Sequence, residues 1–259
     1  MAGKRNAFTL IELLVVIAII ALLMSILMPS LNKARKQARA VACMSNLRQW
    51  SYIWHMYTED SGGKFNTGGS VAGDAANDWP VLLLPYYKDR GALTMCPAAT
   101  LLLAQGGRFA LRAWAWDQQG WTNISSKETP DRGSYGQNEW ICNRPYPEYW
   151  KTRNNIKKPD NVPLFFDCAY LDVYPNATTP PPAQEGDITG YNEWALVCLD
   201  RHTGHVNYLF ADMSVRRVGL KELWTFKWNQ RFSTTNAWTR IGGVRPEDWP
   251  DWLKPFKDY

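Results

Sequence analysis

The feature that most constrains this chain is an apolar run near its start. FTLIELLVVIAIIALLMSILM, Phe8 to Met28, is 21 residues long with Glu12 as its single charge. At 1.5 Å per residue a helix of that length reaches about 31 Å, the thickness of a bilayer core. The seven residues before it, MAGKRNA, are short, polar and basic, and Pro29 follows at once.

Several chains could carry such a run. A secretory signal has an apolar part of about 7–15 residues ending in small residues at a cleavage site. Here the run is longer, and the signal-like Ala40-Val41-Ala42-Cys43 lies beyond a basic stretch. A plain membrane anchor accounts for the length but not for Glu12, since a carboxylate near the middle of a span costs about 2.5–3.5 kcal/mol and less at its edge. A buried globular helix has no need of the unbroken apolar or small stretch from Leu13 to Met28.

Phe8-Thr9-Leu10-Ile11-Glu12, after a short basic leader and before Leu13-Leu14-Val15-Val16-Ile17-Ala18-Ile19-Ile20, resembles the N-terminus of type IV pilins and type II secretion pseudopilins. Ala7 stands where that pattern has Gly. The resemblance implies that a prepilin peptidase cuts between Ala7 and Phe8 and methylates the new amine of Phe8. It implies that Glu12 guides assembly with other pilin or pseudopilin subunits on an inner-membrane platform. It also implies a single pass with the head in the periplasm or on an extracellular filament, and a structural role, not an enzymatic one. The basic residues alone would favour the opposite orientation, with Lys4 and Arg5 before the span and Lys33, Arg35, Lys36 and Arg39 after it.

Further segments extend the likeness to a large subgroup of pilin-like proteins. They are Ser45-Asn46-Leu47-Arg48-Gln49, His55-Met56-Tyr57, Met95-Cys96-Pro97, Ser134-Tyr135-Gly136-Gln137-Asn138 and Leu223-Trp224-Thr225-Phe226-Lys227-Trp228. The subgroup's C-terminal mark is His, nine residues, then Asp-Gly. Here it is His202 and Asp212 with Met213 in place of Gly. The resemblance supplies no role for that motif.

The organisation expected is a leader over 1–7, a membrane and assembly helix over 8–28, its periplasmic continuation over 29–60 and a head over 61–259. Ser30 is placed to cap the segment after Pro29. Leu31, Ala34, Ala38, Val41, Ala42 and Met44 to Leu47 recur at three- and four-residue intervals, while the basic residues lie mainly off that face. Glu59-Asp60-Ser61-Gly62-Gly63 should end the helix. Strands are expected over Ala110–Trp116, Tyr135–Cys142, Pro163–Cys168 and Glu193–Cys198, and a hairpin over Val206–Val218 turns at Ala211-Asp212-Met213. Positive φ is unfavourable for Met213, so a turn other than type I′ is expected. Residues 67–78 and 175–190 read as loops. The fold class is α+β: a long N-terminal helix packed on a mostly antiparallel sheet.

Composition narrows the function. The net charge of +5 comes from scattered basic residues with no phosphate-binding stripe, so nucleic acid is not an expected partner. All 14 tryptophans lie from Trp50 onward. They either fill a core or present rings to a ligand, which leaves a tethered glycan-binding or adhesin module as the alternative function. Cys43, Cys96, Cys142, Cys168 and Cys198 contain no CxxC pair. One or two disulfides and buried free thiols stay equally open.

No cofactor, metal or catalytic site is expected. His202, His205, Asp212 and Asp200 form the one cluster that tempts such a reading, and a turn role for Asp212 fits better. Asp167, Asp172, Glu185 and Asp187 lie near loops without the ordered spacing of a calcium site.

Overall fold

The computed structural model describes residues 10–68, 77–87, 91, 93–102, 109–116, 131–187 and 189–259. The leader, Ala7 and Phe8 lie outside them, as does the middle of the 67–78 loop. Two compact units divide the chain, one ending at Ala38 and the other running from Arg39 to Tyr259.

Helix α1, Leu10–Asp60, is continuous for 51 residues and includes Pro29. Ser30 therefore caps nothing; its hydroxyl bonds back to the Ile26 carbonyl at 3.4 Å. In the first unit the apolar residues of α1 are exposed, Leu10 at 82% and Ile26 and Leu22 at 64%. This is the one described helix long and apolar enough to cross a membrane. The signal-like Ala40-Val41-Ala42-Cys43 lies inside the helix, with Cys43 fully buried. Gly62 and Gly63 take φ of 61° and 78°, and the Gly63 amide bonds the Thr58 carbonyl at 2.7 Å. A left-handed exit of this kind satisfies a terminal carbonyl and stops the helix as expected.

The second unit is built on a five-stranded sheet. Its strands are β4 (Tyr135–Asn138), β5 (Pro163–Asp167), β6 (Asp172–Val173), β7 (His205–Phe210) and β8 (Val215–Gly219). They run in the order β6-β4-β5-β7-β8, antiparallel except for the β6–β4 edge pair. A smaller sheet joins β1 (Leu101–Leu102), β2 (Arg112–Trp116) and β3 (Asp131–Gly133). The α+β class holds, with a sheet that is mixed at its edge. The expected strand over 193–198 is instead a single helical turn, α3 (Trp194–Val197), started by Asn192 Oδ1 accepting from the Trp194 amide at 3.1 Å. A one-turn helix and a short buried strand share the same apolar run, so periodicity does not separate them.

Every residue of β5 is buried, because both faces of the sheet are covered. On one face Phe165 meets Trp50, Trp54, Trp79 and Tyr135, with centroids 4.8–6.1 Å apart. The helix supplies Cys43, Leu47, Trp50 and Trp54 to this face, a spacing of four, three and four that lines one side of an α-helix. The sequence placed that apolar face earlier. Leu31 and Val41 are in fact exposed, and burial begins at Cys43. On the other face Phe166 stacks on Tyr208 at 4.5 Å, beside Trp228, Trp194 and Trp224 from the C-terminal region. A register shift between Pro163 and Phe165 sends Leu164 and Phe165 into the same core.

Tryptophan thus fills the core. Nine tryptophans are buried and Trp140, Trp238 and Trp252 are half-buried; none of the described ones is exposed. All five cysteines are buried and unbridged, so of the two open readings the structure has the free thiols.

The turn joining β7 to β8 lies where expected, but Met213 does adopt positive φ, 68°. Asp212 Oδ1 offsets that strain by accepting from the Ser214 amide at 2.9 Å and its hydroxyl at 2.6 Å, and Met213 packs on the first core.

Candidate functional site

Four segments meet against α1. Cys43 comes from the helix. Cys96 comes from the loop after residue 93, which Asn46 and Trp50 stitch to α1 by bonds to the Met95 and Leu93 carbonyls at 3.1 and 2.9 Å. Asp167 ends β5, Tyr135 begins β4, and Arg201 and His202 sit in the turn before β7. Alternation along β5 sets Asp167 on the same face as Phe165, toward the helix.

The side chains of Asp167, Arg201 and His202 are at most 1% exposed. Asp167 Oδ2 lies 3.0 Å from His202 Nε2 and accepts from the Asn207 amide at 2.9 Å. Oδ1 accepts from Arg201 Nη1 and Cys43 Sγ, both at 3.3 Å. Cys96 Sγ is 3.4 Å from His202 Nε2, and the Tyr135 hydroxyl donates to Cys43 Sγ at 3.4 Å. Arg201 spends its remaining donors on the carbonyls of Ala110, Ser134, Arg112 and Cys168 at 2.7–3.4 Å. A buried charge is tolerated on these terms, paired and fully hydrogen-bonded.

The fields shift every titratable member. Burial alone would raise the Asp167 carboxyl, but His202, Arg201 and the Asn207 amide hold it well below the usual range. Burial lowers His202, and the Asp167 carboxylate outweighs it, bringing the imidazole to about 9. Burial also pushes Cys43 well up. Cys96 meets the same penalty, yet its contacts with Cys43, His202 and Arg201 bring it down to about 7.

Sequence reasoning singled out His202 as a candidate ligand, Asp167 only as one of four carboxylates near loops and Cys43 and Cys96 only as scattered thiols, and did not bring them together. His205 lies apart, its Nδ1 3.0 Å from the Thr203 carbonyl and 3.3 Å from Arg217 Nη2. Asp212 sits beyond the opposite end of β7 from His202, so the two ends of the C-terminal motif serve different purposes: His202 the cluster, Asp212 the turn. Asp200 accepts from the Gly204 amide and shapes the tight turn that presents His202. The four calcium candidates do not act together. Asp172 is buried beside Glu139, Asp187 holds Thr189, and Glu185 accepts from the Asp200 amide. The signal for Cys43 was available, since it shares the helical face of Leu47, Trp50 and Trp54. Nothing in the spacing of Cys96 and Asp167 points to it.

A second polar pocket surrounds Glu139, which pairs with Arg144 and adjoins Asp172 and Glu193. Burial raises Glu193 to about 7, against hydrogen bonds from Tyr174. A folded-state value above the unfolded one means that folding binds a proton, so this group's contribution falls as pH rises through the folded value. Between about pH 4.3 and 7 Glu193 should therefore lower stability by on the order of 3–4 kcal/mol. Glu193→Gln should remove that slope in denaturant melts recorded across this range. An unchanged slope would show that Glu193 ionises freely in the folded chain.

The other candidate region is the N-terminal segment, where α1 opens with Glu12 in its first turn. Residues 3–28 match the family model for the prokaryotic N-terminal methylation motif. The match supports a type IV pilin-like protein of the prepilin-processed class, and suggests a structural subunit. The apolar helix fits a single-pass membrane anchor. Comparison with curated proteins and with solved structures returned no match.

Proposed function

We propose that the chain is a pseudopilin or minor-pilin-like subunit of a type II secretion pseudopilus or type IV pilus-like filament. Prepilin peptidase cuts between Ala7 and Phe8 and methylates Phe8. Residues 8–28 then hold the subunit in the inner membrane with its head in the periplasm, until an assembly platform adds it to a filament. The methylation motif over residues 3–28 is the observation that carries this reading. The exposed apolar surface of α1 supports it, because side chains such as Leu22, Ile26 and Val41 need lipid or a neighbouring helix. The glycan-binding alternative gains no support, since it required exposed tryptophan and the described ones are buried or half-buried.

Glu12 has a specific part in this scheme. Cleavage creates a positive amine at Phe8, four residues before the carboxylate. In an apolar setting each charge is costly alone and relieved by the other. Glu12 of an incoming subunit would meet the amine of its neighbour and set the register of an otherwise uniform apolar surface. Glu12→Ala should leave membrane insertion intact or improved. Its incorporation into filaments, followed by crosslinking to wild-type subunits at matched expression, should fall by about tenfold or more, the low end for close interfacial charge pairs. Equal incorporation would mean that Glu12 snorkels to the headgroups and does not guide assembly.

A further inference from the structure

We propose that Cys43, Cys96, Asp167 and His202 form a structural zinc site that fastens the Arg39–Asp60 stretch of α1 to the sheet. The chemistry and the geometry of the donors point to it. Two sulfurs, one imidazole nitrogen and one carboxylate oxygen lie within 4.8 Å of one another. Among the described residues this is the one group of three or more such donors that converges.

The separations approach those of a coordination tetrahedron. With Zn–N and Zn–O near 2.0–2.2 Å and Zn–S near 2.3 Å, the edges would be about 3.4 Å for N–O and about 3.6 Å for N–S and S–O. The corresponding distances here are 3.0 Å from His202 Nε2 to Asp167 Oδ2, 3.4 Å from that nitrogen to Cys96 Sγ, and 3.5 Å from Cys43 Sγ to the same Oδ2. Each of these three edges needs to open by no more than a few tenths of an ångström to admit the ion. Two thiolates and an imidazole favour zinc over the oxygen-seeking calcium and magnesium.

The surroundings fit as well. Two thiolates, one carboxylate and Zn²⁺ leave a single negative charge, and the buried Arg201 cancels it. Arg201 and the Asn207 amide orient the carboxylate, and the Tyr135 hydroxyl donates to the Cys43 sulfur. Partners of this kind fix ligands around protein-bound metals. With four protein donors the site is closed, as structural zinc sites are, and offers no open position for catalysis. Binding should release protons, because the ion holds its sulfurs as thiolates and its imidazole neutral.

The test uses the full chain in detergent micelles, purified under reducing conditions. Metal analysis should find one zinc per chain. After chelation, Co²⁺ should restore one equivalent with a thiolate-to-cobalt charge-transfer band and tetrahedral d–d bands. Cys96→Ser and His202→Ala should each lose the charge-transfer intensity or weaken binding at least tenfold. Cys142→Ser, a buried cysteine outside the cluster, should keep both stoichiometry and spectrum. Should a cluster variant fail to fold, wild-type chain still decides the matter by its melting temperature with and without added Zn²⁺. No metal uptake by folded wild-type chain would overturn the proposal. So would a Cys43–Cys96 disulfide found by thiol counting and mass spectrometry of the chain as isolated, or an unchanged cobalt spectrum in folded Cys96→Ser.

Discussion

Asp167→Ala should destabilise the head by about 3–5 kcal/mol, the usual consequence of removing one partner of a buried ion pair. The loss has an identifiable origin. Arg201 would stay buried with only carbonyl partners, and the Asn207 amide would lose its acceptor. For a domain of this size the melting temperature should drop by roughly 6–20 °C. Asp167→Asn should cost less, because it keeps the shape and one acceptor oxygen while losing the charge. A drop below about 1 kcal/mol for Asp167→Ala would show that water or a shifted side chain satisfies Arg201, and that the cluster does not organise this part of the core.

Phe165→Ala should cost about as much, 3–5 kcal/mol, through loss of packing. The ring is fully buried, and Trp50, Trp54, Trp79 and Tyr135 surround it. Those neighbours are rigid aromatic groups drawn from separate elements, so they cannot close readily over the void. Phe165→Leu should recover much of the loss by retaining volume. Tyr52, on the same stretch of α1 but 69% exposed, supplies the contrast: Tyr52→Ala should change stability by no more than about 0.5 kcal/mol. Denaturant melts of the three variants would check both magnitudes. Equal costs at Phe165 and Tyr52 would contradict the assignment of which helix face meets the sheet.

The sequence made some of this legible and hid the rest for physical reasons. Helix α1 could be read because its signals are local: an uninterrupted apolar run, then apolar residues at helical spacing, then two glycines. The β7–β8 hairpin could be read for the same reason, with Asp212 at its turn. The conformation of Met213 could not, since its positive φ is stabilised by the Asp212 carboxylate accepting from Ser214 and by packing of Met213 on a core built from distant segments. Segment 194–197 is short enough that one apolar run suits either a strand or a helical turn, and the Asn192 side chain, accepting from the Trp194 amide, favours the turn. The cluster around Asp167 was the least legible. Cys43 and Asp167 stand 124 residues apart in the chain, and His202 lies further on still. Motif spacing carries no information about ligands that only the sheet brings together. The segments singled out by likeness, such as 45–49 and 223–228, prove to hold the core: Leu47, Trp224 and Trp228 are fully buried.

The central claim is that this is a processed pilin-like subunit, and the mature N-terminus tests it most directly. Intact-mass and peptide mass spectrometry of the protein from membrane fractions should find a chain beginning at N-methylated Phe8, without Lys4 and Arg5 and therefore two positive side-chain charges lower. A chain that retains Met1, or one that begins at Cys43, would contradict the account.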